Sequence, residues 1–188
     1  MSWSRRRVLQ AGGALAGVSA AGLLAGTARS HGLAARSPAA GGNDSESRIG
    51  VPKRITLLNL HTDEHLEIEY FRDGVYVPKA LSAIEVLLRD FRTGDQHSIE
   101  PTLMDYLVDV AGHLGMPPAY SVISGYRSAE SNAHSLHMQG RAIDVRMAGV
   151  DSTALAAHAR DLMRGGVGYY RVSNFVHMDT GSYRTWNG

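Results

Sequence analysis

The chain of 188 residues contains no cysteine. This absence excludes disulfide scaffolds, thiolate zinc fingers, iron–sulfur clusters and cysteine nucleophiles. The fold must therefore rest on a hydrophobic core, and a chain of this length with 44% hydrophobic residues can build one. Any metal ion must be held by histidine, aspartate or glutamate, so the placement of the nine histidines carries most of the information.

The N-terminus has the pattern of an export signal. Three arginines at 5–7 precede an uncharged stretch of Ala, Gly and Leu that ends at Ala28. This pattern is typical of a secretory signal, and residues 4–9 resemble the twin-arginine type. Residues 1–28 are therefore predicted to be a twin-arginine-type export signal, read by the twin-arginine export machinery, with an uncleaved membrane anchor as the alternative. Residues 29–50 are predicted to be a flexible linker, and 51–188 the folded domain in the periplasm.

The charge balance argues against a nucleic-acid partner. The net charge is +1 at pH 7, and the three signal arginines contribute to it. Without the signal the remainder is slightly acidic, and a nucleic-acid binder usually carries a basic face. No nucleic-acid partner is therefore expected.

Hydrophobic periodicity predicts a mixture of helices and strands. Alternation and apolar runs predict strands at 55–60, 66–71, 75–77, 120–124, 142–147, 167–170 and 175–179. Helical spacing and capping residues predict helices at 79–91, 101–114 and 152–163. Since the order lacks regular βαβ alternation, the predicted class is α+β, with a small mixed, mainly antiparallel sheet and helices packed on one side.

Three residues could converge on a metal ion. Asp144 lies between apolar neighbours in a predicted strand, where burial of its charge requires a cation or an arginine partner. His137 lies in the preceding loop, and His177 lies in the strand that ends at Asp179. Two histidines, one aspartate and a water would make an open tetrahedral zinc site. The alternative is a hydrogen-bonded core histidine and an ion-paired or capping aspartate.

Four motifs in this order resemble the murein endopeptidase K family. They are Ser-Gly-Tyr-Arg-Ser at 124–128, Ser-x-His-x-x-Gly-x-Ala-x-Asp at 135–144, Gly-Val-Gly-Tyr-Tyr at 166–170 and Phe-Val-His-x-Asp at 175–179. The resemblance extends from about Ile55 to Trp186. That family belongs to the zinc D-Ala-D-Ala carboxypeptidase-like peptidoglycan peptidases, which implies a hedgehog/DD-peptidase-like fold.

The resemblance also implies roles for single residues. It assigns one Zn2+ per chain to His137, Asp144 and His177, so that 51–188 would be a zinc metallopeptidase domain. Arg127 matches the arginine that binds substrate and stabilises the oxyanion, a role that a fixed guanidinium suits. The alternative for Arg127 is a surface residue that caps a short helix near Ser128.

The implied activity is hydrolysis of amide bonds in peptidoglycan cross-links that contain meso-diaminopimelate. A D,D-carboxypeptidase that trims stem peptides is one alternative, and a catalytically idle zinc-containing module that binds the cell wall is another. The chain is expected to act as a monomer.

The proton acceptor is less well defined. Relatives with a glutamate base place it three residues before the last ligand, where this chain has Asn174; the family that it resembles also lacks that glutamate. Asp179 is the predicted catalytic carboxylate, either as the base or as a residue that orients His177, with an ion pair to Arg184 as the alternative. His134 is a further candidate.

Two other features complete the expectations. The segment between Ser128 and His137 is shorter than is usual in the family, which predicts a more open cleft. The histidines outside the motifs are expected to be surface or helix-face residues, namely His61, His65, His97, His113 and His158.

Overall fold

One mixed β-sheet runs through the residues that the structure, a computed structural model, describes, namely 50–128 and 135–188. Within them its eight strands are β1 (Lys53–Asn59), β2 (His65–Arg72), β3 (Val75–Tyr76), β4 (Ala119–Ser124), β5 (Ala142–Met147), β6 (Gly166–Tyr170), β7 (Phe175–Asp179) and β8 (Arg184–Asn187). Their spatial order is β3-β2-β1-β4-β5-β7-β6-β8. The pairs β1/β4 and β6/β8 are parallel and the other neighbours are antiparallel. The predicted α+β class with a mixed sheet is confirmed.

Each helix begins within one residue of its predicted start. They are α1 (Pro78–Leu87), α2 (Pro101–His113) and α3 (Ser152–Asp161), and a short 3-10 helix spans Leu136–Gln139. A proline occupies the first turn of α1 and of α2, where its missing N–H costs no hydrogen bond. Asp151 caps α3, because its side chain accepts a hydrogen bond from the backbone N–H of Thr153.

Alternation along β5 and β7 separates an apolar face from a polar one. Strand residues from both join the buried core with residues of α2 and α3: Ile143, Val145, Val176, Met178, Leu103, Leu107, Leu155 and Ala159. Since side chains alternate across a strand, Asp144, His177 and Asp179 project from the opposite face. The helices therefore cover one face of the sheet, and the polar strand residues lie on the other.

Helix α1 is one turn shorter than predicted. The prediction extended it to residue 91, but it ends at Leu87. The carboxylate of Asp90 accepts hydrogen bonds from the backbone N–H groups of Arg92 and Ser128, and Gly94 adopts a left-handed φ of 81°. These contacts stabilise a turn after Leu88, and the apolar spacing that included Phe91 does not reveal them.

Strand β8 was not predicted. It pairs in parallel with β6 at the edge of the sheet and is mostly exposed, so it lacks the apolar alternation that marks a strand. Trp186 lies opposite Gly168, and a Cβ atom at Gly168 would approach the Trp186 ring to 2.4 Å. The absence of a side chain at residue 168 therefore makes room for Trp186.

The predicted export signal and residues 29–49 of the predicted linker lie outside the described residues. All the described residues belong to one compact unit, Gly42–Gly188. In this part of the chain no helix has the length and apolar character needed to cross a membrane.

Candidate metal centre

Strand register brings together two side chains that are 33 residues apart in the sequence. Asp144 on β5 lies directly opposite His177 on the antiparallel β7. His177 Nδ1 is 2.9 Å from Asp144 Oδ1, and the Asp144 side chain is 4% exposed. Two members of the predicted ligand set that are far apart in the sequence are therefore neighbours across one strand pair.

The 3-10 helix supplies the third side chain. Its first-turn N–H at His137 donates to the hydroxyl of Ser135, and it ends at Gly140 in a left-handed conformation with φ 65°. A Cβ at residue 140 would lie 2.0 Å from the carbonyl oxygen of Ser98, so glycine is required by both conformation and space. This turn places the His137 ring against that of His177, with centroids 5.0 Å apart.

The three predicted ligands meet through one atom each. His137 Nε2 is 3.2 Å from His177 Nδ1 and 3.3 Å from Asp144 Oδ1. The third distance, between His177 Nδ1 and Asp144 Oδ1, is 2.9 Å. Zinc–ligand bonds of about 2.05 Å in a tetrahedron separate two ligand atoms by about 3.3 Å. The donor types and their spacing therefore fit a zinc ion.

Hydrogen bonds on the far side of each imidazole fix which nitrogen faces the cluster. His137 Nδ1 donates to the carbonyl oxygen of Gly125 at 2.7 Å, and His177 Nε2 donates to Asp179 Oδ2 at 3.0 Å. When the rings are neutral, the nitrogen of each that faces the cluster therefore carries no proton, which is the arrangement that metal-binding histidines need. A Cβ at Gly125 would lie 2.5 Å from the carbonyl oxygen of Leu88, so this acceptor also depends on a glycine.

Asp179 lies behind His177, away from the point where the ligand atoms meet. It is 0% exposed. Its carboxylate accepts from the backbone N–H groups of Gly166 and Gly181, from His177 and from both terminal nitrogens of Arg184. The ion pair with Arg184 is therefore present. The buried carboxylate has no contact with solvent, which argues against the prediction that it takes a proton from water.

Arg127 lies beside the ligand cluster. One of its terminal nitrogens donates to Asp144 Oδ2 at 2.5 Å, and its Nε donates to the hydroxyl of Ser124 at 2.7 Å. The arginine partner expected for the buried charge of Asp144 is therefore present, while the other carboxylate oxygen faces the two histidines. Ser124 is opposite Asp144 in the β4/β5 pairing, next to a register shift.

The local electrostatics favour positive charge between His177 and Asp144. Burial opposes ionisation of Asp144, but hydrogen bonds from His137 and His177 hold its pKa well below the usual range. Burial also opposes ionisation of Asp179, but hydrogen bonds from His177, Arg184 and two backbone N–H groups lower its pKa. Burial lowers the pKa of His177, yet its bonds to the two carboxylates raise it above the ordinary value. A bound cation would be stabilised by the same negative charges.

Asn174 is not one of the residues that meet at the cluster. Asn174 is in the turn before β7 with a left-handed φ of 51°, and its carbonyl oxygen accepts from Arg146. His134 lies outside the described residues. Trp186 packs at a tilt against the His177 ring, with centroids 5.2 Å apart.

Comparison with known proteins identifies the family. A family model described as "Peptidoglycan L,D-endopeptidase MepK" matches residues 47–186. The chain belongs to this family. Membership confirms the resemblance noted in the sequence and, at the level of the family, the prediction of a peptidoglycan peptidase.

Individual relatives cover most of the chain. It is 39% identical over 149 residues to the probable peptidoglycan L,D-endopeptidase MepK of Haemophilus influenzae, which is 73% of this chain and 80% of the relative. It is 37% identical over 146 residues to the peptidoglycan L,D-endopeptidases MepK of Escherichia coli (strain K12) and Shigella flexneri, in each case 72% of this chain and 80% of the relative. No solved structure matches the chain significantly.

Sequence reasoning missed the residues that support the ligands. Ser124 and the Gly125 carbonyl lie within the first motif, where only Arg127 was singled out. The available signal for these supporting contacts was a glycine, Gly125, directly after a predicted strand. The contacts themselves depend on distant residues such as Leu88 and could not be inferred from spacing.

Proposed function

We propose that this protein is an exported, zinc-dependent peptidoglycan endopeptidase. The convergence of His137 Nε2, Asp144 Oδ1 and His177 Nδ1 within 2.9–3.3 Å of one another carries this proposal. Family membership gives the reaction class, and the donor set and spacing favour zinc. A hedgehog/DD-peptidase type of fold is part of the same proposal, and it is compatible with the mixed sheet.

The ligand residues are assigned by their chemistry. His137, Asp144 and His177 would hold the ion, and a zinc ion bound there supplies a Lewis acid and lowers the pKa of a coordinated water. The Gly125 carbonyl and Asp179 keep the protons of both imidazoles on the far side of the rings. When both rings are neutral, the protein thereby offers two nitrogen donors and one carboxylate.

Arg127 is assigned to transition-state stabilisation. Its guanidinium is held next to the cluster by Ser124 and Asp144. A fixed positive charge at this point would stabilise the negative charge that develops on the oxygen of the scissile carbonyl. Both anchors lie on neighbouring strands, so the guanidinium is positioned before substrate binds.

Asp179 is assigned as a positioning residue. It is buried, all its hydrogen bonds are to donors of the protein, and it touches the cluster only through His177. A carboxylate behind a ligating histidine orients the ring and raises its basicity. This contact supports the second of the two roles that the sequence suggested.

The relatives' names suggest which bond is cut. They are L,D-endopeptidases, and a bond between an L centre and a D centre occurs where two meso-diaminopimelate residues are joined. A bond from D-Ala to the D centre of meso-diaminopimelate would be D,D. We therefore assign the cross-link between two meso-diaminopimelate residues as the substrate.

Export rests on the sequence alone. Peptidoglycan lies outside the cytoplasmic membrane, and the arginine-rich N-terminus followed by an uncharged apolar stretch would direct the protein there. The periplasm and the twin-arginine pathway are the proposed location and route.

The test uses the full chain stripped of metal with a chelator and then reloaded with Zn2+. Purified cross-linked dimers of both kinds are digested and analysed by mass spectrometry, with His137→Ala as the inactive variant. His65→Ala, at an exposed residue that begins β2, is the matched control. We expect zinc to restore cleavage of dimers joined through two meso-diaminopimelate residues, His137→Ala to be inactive, and His65→Ala to match the wild type.

Other outcomes separate the alternatives. Release of one terminal D-Ala without loss of dimers would indicate a D,D-carboxypeptidase. Binding to murein sacculi without turnover would indicate an idle wall-binding module. Turnover that persists after complete metal removal would refute zinc dependence.

A further inference from the structure

We propose a second divalent metal site, formed by His113, His158 and Asp161 at the ends of α2 and α3. His113 is the last residue of α2, and Asp161 is the last residue of α3. His158 precedes Asp161 by three residues, so the two share a helix face. This site lies on the helix side of the sheet, whereas the cluster of His137, Asp144 and His177 lies on the other side.

The two imidazoles are spaced as metal ligands are. His113 Nδ1 and His158 Nδ1 are 3.4 Å apart, although 45 residues separate them. This distance is long for a hydrogen bond and close to the edge of about 3.3 Å expected between two zinc ligands. One imidazole nitrogen of each histidine and one carboxylate oxygen of Asp161 all lie within 4.8 Å of one another.

The orientation of the two rings agrees with this reading. Their planes stand at 79° with centroids 4.9 Å apart. The rings therefore do not stack, and their contact brings two nitrogens together at an angle. Two imidazoles that meet in this way present lone pairs to one point when their protons are on the other nitrogens.

The electrostatics of the helix ends favour a cation. The C-terminal end of a helix carries partial negative charge, which attracts cations and disfavours acidic side chains. Asp161 nevertheless occupies the last position of α3, and within residues 50–128 and 135–188 no side chain forms a hydrogen bond or ion pair with it. A cation between the ends of α2 and α3 would offset both the carboxylate and the helix carbonyls.

The types of ligand atom at this site indicate which class of ion would bind. Two imidazole nitrogens and one carboxylate oxygen suit zinc and its neighbours nickel and copper, and do not suit calcium or magnesium. His113 and Asp161 are exposed, so the site is open to solvent and water can complete the coordination. An ion here would fasten α2 to α3 and stabilise the folded state, because only that state brings the three ligands together.

The experiment counts zinc ions bound by the metal-free full chain in a calorimetric titration with Zn2+ alone. We expect two ions per chain for the wild type and for the control His65→Ala, and one for His158→Ala. His137→Ala should also retain one, and the double variant His137→Ala/His158→Ala should retain none. Asp161→Asn should weaken the second site without changing the first.

Site-specific detection keeps the result independent of peptidase activity. Zinc should shift the imidazole 15N signals of His113 and His158 in the His137→Ala variant and raise its thermal unfolding midpoint. Neither change should occur when His158→Ala is added. If His137→Ala binds no ion, or if His158→Ala binds as many ions as the wild type with unchanged affinity, the proposal is overturned and the two imidazoles share only a hydrogen bond.

Discussion

Replacing Asp179 with asparagine tests how the protein supports its metal centre. The carboxylate accepts five N–H groups, from Gly166, Gly181, His177 and twice from Arg184. An asparagine has one acceptor oxygen and one NH2 donor. If the oxygen stays with the two backbone N–H groups, the NH2 faces the N–H of His177 and repels it.

The expected loss follows from this geometry. His177 loses a hydrogen bond to a charged acceptor, worth about 1.5–3 kcal/mol. Its proton is then free to move to Nδ1, the nitrogen that faces Asp144 and the proposed ion. Since about 1.4 kcal/mol corresponds to a factor of ten, Asp179→Asn should weaken zinc binding by about 10–100-fold, the usual range for a residue behind a ligating histidine.

A competition titration against a chromophoric zinc chelator measures the affinity, and turnover is measured separately at saturating zinc. We expect the affinity to fall by that factor while kcat at saturating zinc falls less. Asp73→Asn, in the exposed turn between β2 and β3, is the matched control and should change neither. An unchanged affinity together with a kcat lowered more than tenfold would refute the positioning role and restore Asp179 as the base.

Three further predictions address other contacts. Arg127→Ala should lower turnover about 10²–10³-fold with zinc content near one at the first site; a parallel loss of zinc would show that Arg127 mainly holds Asp144. Gly168→Ala should lower the free energy of unfolding in urea by about 1–3 kcal/mol, because its Cβ would lie 2.4 Å from Trp186; an unchanged midpoint would contradict this. Burial opposes ionisation of Asp105, but hydrogen bonds from Lys53, Tyr76 and Tyr70 lower its pKa, so it stabilises the protein above the unfolded pKa near 4. The wild type should therefore exceed Asp105→Asn in stability at pH 6, and this difference should shrink as the pH falls below about 4; a difference that grows on acidification would refute it.

The sequence was most informative where local pattern and tertiary structure agree. The alternation in β5 and β7 predicted both strands within their observed bounds, and in the structure it puts Asp144 and His177 on a polar face. Helices α2 and α3 were predicted because proline and Asp151 mark their starts. These features depend on neighbours within a few residues.

Contacts between distant segments were beyond such reasoning. Strand β8 is stabilised by pairing with β6 and by the space above Gly168, neither of which is visible in its own four residues. The acceptor for His137 is a backbone carbonyl, whose direction is set by the close approach of residue 125 to Leu88. Spacing along the chain contains no information about such approaches.

The same alternation that packs the core also aims two of the proposed ligands. If β5 slipped by one residue against β7, Asp144 would enter the apolar core and Val145 would take its place beside His177. Burial of an unpaired carboxylate costs several kcal/mol, so the register that forms the core is also the register that forms the ligand pair. His137 has no such protection, because it depends on a single 3-10 turn that ends at Gly140. Any larger residue at 140 would collide with the Ser98 carbonyl and displace His137, so the site is more vulnerable at this loop than at either strand.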